Sequence, residues 1–182
     1  MSIQLRLPEG IESERLVFRR PCVADAQALF DAYTSDPQVP KYMVWAPHTN
    51  VSETETFLEG CVADWNEGSR FAYALTLQGR ASSPVGMLDA TPKGHMLDIG
   101  YVLARDLWGR GLMTEAVMAF SELALALPGV FRLQASCDFE NMASARTLEK
   151  SGFVREGRLD RYTVHPNISV EPRPCFMYAR CR

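Results

Sequence analysis

The chain has 182 residues, 47% hydrophobic and 23% charged, with a formal net charge of −3. That length suits one globular domain with a sizeable core. No apolar stretch approaches the length of a membrane span, and the acidic balance argues against a general nucleic-acid binder. The first ten residues lack the cationic-then-apolar order of a secretory leader, which favours the cytoplasm. Charge is uneven: residues 1–70 carry 6 basic and 11 acidic side chains, and residues 71–182 carry 13 and 11, so a polyanionic ligand would prefer the second half. Five cysteines, with no Cys-x-x-Cys pair, make a poor disulfide or zinc framework. His48, His95 and His165 are dispersed without metal-ligand spacing, so no metal is expected.

In chain order, Arg15 to Arg20 reads as a strand and Ala24 to Thr34 as a helix with Asp25 in its first turn. Gln38 to Val44 forms a short helix that ends near Pro47. Ser52 opens a longer helix through a capping-box pattern, Ser52-x-x-Glu55, with Phe57, Cys61, Val62 and Trp65 at helical spacing and Gly68 as the stop. Phe71 to Leu77 alternates as a strand. Gln78 to Ser83 is a turn, Pro84 to Ala90 a strand, Thr91 to Gly94 a turn, and His95 to Leu103 a third strand, giving an antiparallel meander. A helix over Leu112 to Leu127 puts Ala116, Phe120, Leu123 and Leu127 on one face, and Pro128-Gly129 ends it. Val130 to Cys137 is then a strand parallel to the one before the helix. Asn141 caps a short helix to about Lys150. Phe153 to Arg161 and Cys175 to Cys181 are two final antiparallel strands, joined by a proline-containing loop (Pro166, Pro172, Pro174) that reads as mobile. With no repeat, low-complexity tract or linker, residues 1–182 read as one α/β domain, its core about 13–181.

The chemistry concentrates between Asp98 and Ala116. An apolar run, Ile99 to Leu103, breaks at a polar loop ending in Gly109-Arg110-Gly111, which opens directly into a helix. The first turn of a helix has N–H groups without intrahelical partners, and its dipole favours negative charge. Glycine lets the backbone approach a phosphate closely, and Arg110 adds a forked cation. The segment has neither the spacing of a nucleoside-triphosphate loop nor the three-glycine dinucleotide fingerprint.

The order strand, Trp108-Gly109-Arg110-Gly111-Leu112-Met113-Thr114-Glu115-Ala116, helix resembles the acyl-coenzyme A loop of the GNAT family of N-acetyltransferases, most of all its Rim-type branch of ribosomal-protein N-terminal acetyltransferases. Ser13-Glu14-Arg15-Leu16-Val17-Phe18-Arg19 resembles that branch's opening strand. Asn141-Met142-Ala143-Ser144-Ala145-Arg146, followed by Leu148-Glu149-Lys150-Ser151-Gly152-Phe153, resembles the family's second signature. The resemblance implies the GNAT fold: a mixed, mostly antiparallel sheet with flanking helices, opened where two parallel strands splay. It also implies acetyl-coenzyme A as co-substrate. The amides of Trp108, Gly109, Arg110, Gly111, Leu112, Met113 and Thr114 would hold its pyrophosphate. The backbone of Tyr101, Val102 and Leu103 would pair its pantetheine arm as an added strand would. Asn141 would contact that arm and Arg146 a phosphate. Ser144 occupies the neighbourhood where many relatives carry a tyrosine that protonates the leaving thiolate, and its hydroxyl would donate a hydrogen bond to the sulfur.

The acceptor amine must lose a proton before it attacks. A free α-amine titrates near ~8 and a lysine near ~10.4, so an α-amine asks less of a base. A carboxylate acting directly or through water suffices. Asp98 is the first candidate, with Asp89 and Asp160 as rivals. Tyr42 and Trp45 read first as packing residues, and the resemblance places them in the segment that lines the acceptor cleft; Asp89 joins them as a candidate substrate contact. Two departures from the family pattern are Met113, where the broad motif has Gly or Ala, and Arg173-Pro174, where relatives often have an acidic residue. The expected activity is acetyl transfer to a primary amine, at a protein N-terminus or on a small molecule, by direct attack in a ternary complex. The alternatives are a non-catalytic acyl-coenzyme A sensor and a nucleotide-binding regulator. Family members are monomers or homodimers.

Overall fold

Apolar alternation builds most of the sheet, and one strand is apolar but for Thr76. In the computed structural model, which describes residues 5–79 and 83–182, Phe71–Leu77 is buried along nearly its whole length. That pattern belongs to a strand covered on both faces. Around it lie β1 (Gly10–Glu12), β2 (Leu16–Arg19), this central β3 (Phe71–Leu77), β4 (Pro84–Lys93), β5 (Met96–Leu103), β6 (Arg132–Asp138), β7 (Val154–Thr163) and β8 (Arg173–Cys181). They form one sheet in the order β1-β2-β3-β4-β5-β6-β8-β7 among the described residues. Every pairing is antiparallel except β5 with β6. The helices are α1 (Ala26–Leu29), α2 (Val51–Glu67), α3 (Leu112–Ala126) and α4 (Met142–Lys150).

The expected single helix over Ala24 to Thr34 is a 3-10 turn (Val23–Asp25), then α1, then a π-helical turn (Phe30–Thr34). Asp25 ties its start to β2: Arg19 Nη1 and Nη2 donate to its two oxygens at 2.8 and 2.6 Å. The cap of α2 lies two residues earlier than the Ser52-x-x-Glu55 reading. Asn50 accepts from the Glu53 amide, and Glu53 in turn accepts from the Thr49 amide. Gly68 ends the helix in the left-handed region, φ 74°, as its position suggested. β4 runs on through Thr91 to Lys93, so the turn before β5 shrinks to Gly94-His95. The turn expected over Gln78 to Ser83 lies partly outside the described residues. β1 escaped the sequence reading because three residues are too few for alternation to show.

α3 buries Leu112, Met113, Ala116, Val117, Phe120 and Ala124, with Leu123 and Leu127 at the margin of the core. Phe120 meets Tyr73 edge-on at 6.0 Å, and Trp65 of α2 meets Tyr73 at 4.9 Å. By alternation the other face of the central strands carries Ala72, Asp89 and Gly100 in one row, with Ala74, Met87 and Val102 in the next. α3 is the crossover that makes β5 and β6 parallel.

Candidate active site

The parallel pair is joined only at Met96 with Arg132, Leu97 with Leu133 and Asp98 with Gln134. Beyond Asp98 the two strands diverge. Ile99 to Val102 on one side and Ala135 to Cys137 on the other line a cavity of about 540 Å³. Backbone groups along a parted edge need partners, and an extended chain bearing amides supplies them.

At the end of β5 the chain turns through Arg105–Leu107 into the glycine loop. Gly109 and Gly111 sit at φ 74° and 75°. Gly111 is the N-cap of α3 and supplies no side-chain cap, and the Glu115 amide is the one that reaches the Gly111 carbonyl, at 3.0 Å. The amides ahead of it precede the first intrahelical bond of α3. Leu112 and Met113 bury their side chains in the core, so only their backbone faces the loop, and Met113 is thereby compatible with anion binding. A strap from the sheet edge holds the loop. Glu115 accepts from Ser13 Oγ (2.7 Å), the Arg15 amide (2.8 Å) and Arg15 Nε (2.6 Å), while Arg15 Nη1 donates to the Arg110 carbonyl (3.0 Å). Burial alone would raise the Glu115 carboxyl, but those hydrogen bonds outweigh it and hold it below its ordinary value. Trp108 braces the loop locally, since its Nε1 donates to the Leu103 carbonyl at 2.8 Å. Leu103 is buried, and of the Tyr101–Leu103 stretch only Tyr101 and Val102 line the cavity.

At the first turn of α4, Asn141 Oδ1 caps the Ser144 amide at 3.2 Å. Ser144 Oγ lies 2.8 Å from the Tyr101 hydroxyl. Burial drives the Tyr101 phenol well above its ordinary value, so it stays protonated. Asn141, Ser144 and Cys137 all line the cavity. Burial pushes the Cys137 thiol up to about 11, which suits a buried thiol better than a nucleophile. Arg110 and Arg146 are exposed, and neither lines the cavity.

The carboxylates separate clearly. Asp160 is exposed and paired with Arg158. Asp98 is bound to Lys93 and lies at the last joined residue pair, outside the lining of the cavity. Asp89 lines the cavity, opposite Ala72 on one side and Gly100 on the other. Its carboxylate leans over β5: a Cβ at Gly100 would stand 2.9 Å from Asp89 Oδ1. Among the described residues no other side chain hydrogen-bonds it; its own backbone amide does. Burial, with Arg70 opposing and Asp98 reinforcing, pushes it up to about 6.

Another wall of the cavity is mostly apolar and comes from distant segments. Tyr42 and Trp45 line it, joined by Tyr33, Phe57 and Met87, which the sequence reading did not single out. Trp45 packs between Tyr33 (6.5 Å) and His48 (5.6 Å). His48 Nδ1 is fixed by Thr54 Oγ1 at 2.7 Å, and burial lowers its pKa. The loop between β7 and β8, read as mobile, is clamped over this wall: Asn167 Nδ2 donates to the carbonyls of Pro40 (2.6 Å) and Trp45 (2.8 Å). His165 of that loop lies 3.6 Å from Asp138, and Asp138 is gripped by Arg173 at 2.7 and 3.2 Å. Arg173, the departure from the family pattern, thus anchors the end of β6. Among the described residues, no cluster of His, Cys, Asp or Glu could hold a metal ion, and no helix is long and apolar enough to cross a membrane.

A sheet parted between its two parallel strands, with a glycine-hinged amide loop at the end of one of them, defines an acyltransferase architecture. Residues 15–154 match the family described as the acetyltransferase (GNAT) domain, and the chain belongs to that family; it is an N-acetyltransferase. It is 29% identical over 157 residues to the uncharacterized N-acetyltransferase p20 of Bacillus licheniformis, spanning 85% of this chain and 87% of that one. Its structure resembles a GNAT acetyltransferase of Bacillus anthracis with a TM-score of 0.81 at 26% identity, covering 94% and 98% of the two chains. The fold is also that of RimL, a ribosomal L7/L12 α-N-protein acetyltransferase solved with coenzyme A, with a TM-score of 0.84 at 21% identity and coverage of 95% and 98%.

Proposed function

We propose that this enzyme transfers an acetyl group from acetyl-coenzyme A to a primary amine by direct attack in a ternary complex, with Asp89 as the base. The carrying observation is the carboxylate seated over Gly100 at the point where the strands part. The cavity's donors fit the co-substrate. Free amides from Gly109 to Thr114 suit a diphosphate, and the parted edge at Tyr101 and Val102 suits an amide-bearing arm. When bound, that co-substrate supplies the acetyl group as an activated thioester.

Asp89 takes the proton from the incoming ammonium. With a pKa near 6 it is mostly ionised at neutral pH, yet closer to the amine's own value than an ordinary aspartate. Strand amides orient and polarise the carbonyl. Ser144, held by Tyr101, donates a hydrogen bond to the departing sulfur. Asn141 fixes the first turn that carries Ser144 and faces the cofactor arm, with Arg110 and Arg146 in reach of phosphate. Tyr42 and Trp45 seat the acceptor, a protein N-terminus or a small amine. A sensor that only binds the thioester would have no need of a carboxylate at the parting of the strands. An acceptor screen read by release of free thiol tests the activity. Full turnover by the Asp89→Asn variant would remove the base assignment.

A further inference from the structure

The acceptor wall holds one cation that the transfer itself does not use. Arg70 immediately precedes β3, so alternation places its side chain on the same face as Ala72 and Asp89. Diagonal neighbours in adjacent strands lie roughly 7–8 Å apart at their origins. Arg70 and Asp89 both line the cavity. The guanidinium is held in place: Nε donates to Asp64 Oδ2 (3.0 Å), Nη2 to Cys61 Sγ (3.4 Å), and the group lies 5.8 Å from the centroid of the Phe57 ring. Nη1 makes no hydrogen bond among the described residues. A fixed, forked cation with donors to spare is suited to a carboxylate. On the same face, the Asp89 carboxylate leans away from Arg70, toward β5 and the parted strands.

We propose that Arg70 binds an anionic group on the acceptor, so that the preferred acceptor is a free amino acid with an apolar side chain. Its α-amine meets Asp89, its carboxylate meets Arg70, and its side chain lies against Trp45, Phe57 and Met87. An α-amino acid carries amine and carboxylate on one carbon, which matches a carboxylate and a fixed guanidinium lining the same cavity. A simple amine or an amino-acid amide lacks the charge that Arg70 matches. This assignment rests on the reading of Asp89 and the parted strands as the transfer site.

The experiment compares phenylalanine, phenylalaninamide and phenethylamine as acceptors, with free-thiol release as readout, at about pH 8, where Asp89 is ionised. Wild type, Arg70→Gln and Arg70→Lys are each also checked for thermal stabilisation by coenzyme A, which reports an intact fold and cofactor half. Wild type is expected to show its lowest KM for phenylalanine. Arg70→Gln raises that KM roughly tenfold to a hundredfold, the range for loss of a charge-assisted contact, and leaves the other two nearly unchanged; Arg70→Lys recovers part of the loss. The assignment is overturned if wild type prefers the amide or the simple amine, if Arg70→Gln raises all three KM values alike, or if wild type is stabilised by coenzyme A yet acetylates none of the three. Absence of both stabilisation by coenzyme A and thiol release with any amine would bring down the parent reading together with this one.

Discussion

The two parts of the candidate site are built by different means. The cofactor half is mostly backbone from one continuous stretch, the end of β5, the glycine loop and the start of α3, completed by the first turn of α4. The acceptor half is mostly side chains, gathered from the π-turn after α1, the segment around Trp45, α2, the edge of β3, the middle of β4 and the β7–β8 loop. A site made of main-chain donors tolerates side-chain drift, as Met113 illustrates by turning into the core. Side chains from scattered segments vary independently, so acceptor choice can change without disturbing the cofactor site.

The sharpest break between the halves is expected at Asp89. Asp89→Asn should lower kcat/KM by about 10²- to 10⁴-fold, the usual contribution of a positioned base, and leave coenzyme A affinity unchanged by calorimetry. In wild type kcat/KM should fall as pH drops through about 6, where the carboxylate protonates. Stability moves the opposite way. The folded-state value lies above the unfolded one, so the fold's advantage from the neutral acid is fully present below about 4 and is lost as pH rises through about 6. Asp89→Asn should therefore stabilise the protein at pH 8 by at most about 3 kcal/mol and have little effect on stability near pH 4. Equal stability effects at both pH values would show that the carboxyl is not strained by burial.

On the other side, Gly111→Val puts a branched side chain at φ 75°, in the glycine loop and with its Cβ 3.7 Å from Arg15 Nη2. Coenzyme A affinity should fall roughly a hundredfold, as expected for losing one or two charge-assisted hydrogen bonds. Unchanged affinity in a calorimetric titration would move the phosphates away from this loop.

The same contrast explains what the sequence could reveal. The glycine loop was legible because its parts are neighbours in the chain: strand, glycines, helix start. Asn141 as a cap was legible for the same reason, since its partner is Ser144. The meander and the crossover followed from alternation and loop length, and with them the order of the central strands. Arg70, Tyr33, Phe57, Met87 and His165 were not legible, because nothing local marks a residue that meets its site only through sheet register or a long loop. The choice between Asp89 and Asp98 could not be read locally for a related reason. Both are acidic residues on alternating strands, and only the register, Asp89 opposite Gly100 and Asp98 beside Lys93, tells them apart. The strap from Ser13 and Arg15 to Glu115 is equally silent in sequence, since it joins residues about a hundred positions apart.

A smaller effect separates orientation from chemistry within the cofactor half. Ser144→Ala removes the hydroxyl 2.8 Å from Tyr101 while the Asn141 cap, which uses the Ser144 amide, survives. A thiolate is a good leaving group, so kcat should drop only about tenfold, the worth of one hydrogen bond to developing charge. KM should stay within about twofold, because the contact strengthens only in the transition state. An equal rise in KM for coenzyme A with kcat intact would make Ser144 a binding residue instead.

The smallest expected effect tests the nearest rival to Asp89. Asp98 is tied to Lys93 at the closed end of the parallel pair and adds negative charge near Asp89, which helps keep that carboxyl high. Asp98→Asn removes this charge and leaves Lys93 free to act in the opposite sense. The midpoint of the acid limb of kcat/KM should therefore move to lower pH, and the plateau rate at pH 8 should change by no more than about threefold, in keeping with a screened interaction between partly exposed groups. Were Asp98 itself the base, the plateau would collapse and the acid limb would vanish with it. The two carboxylates predict opposite pH profiles for one substitution, so a single titration of the variant assigns the proton.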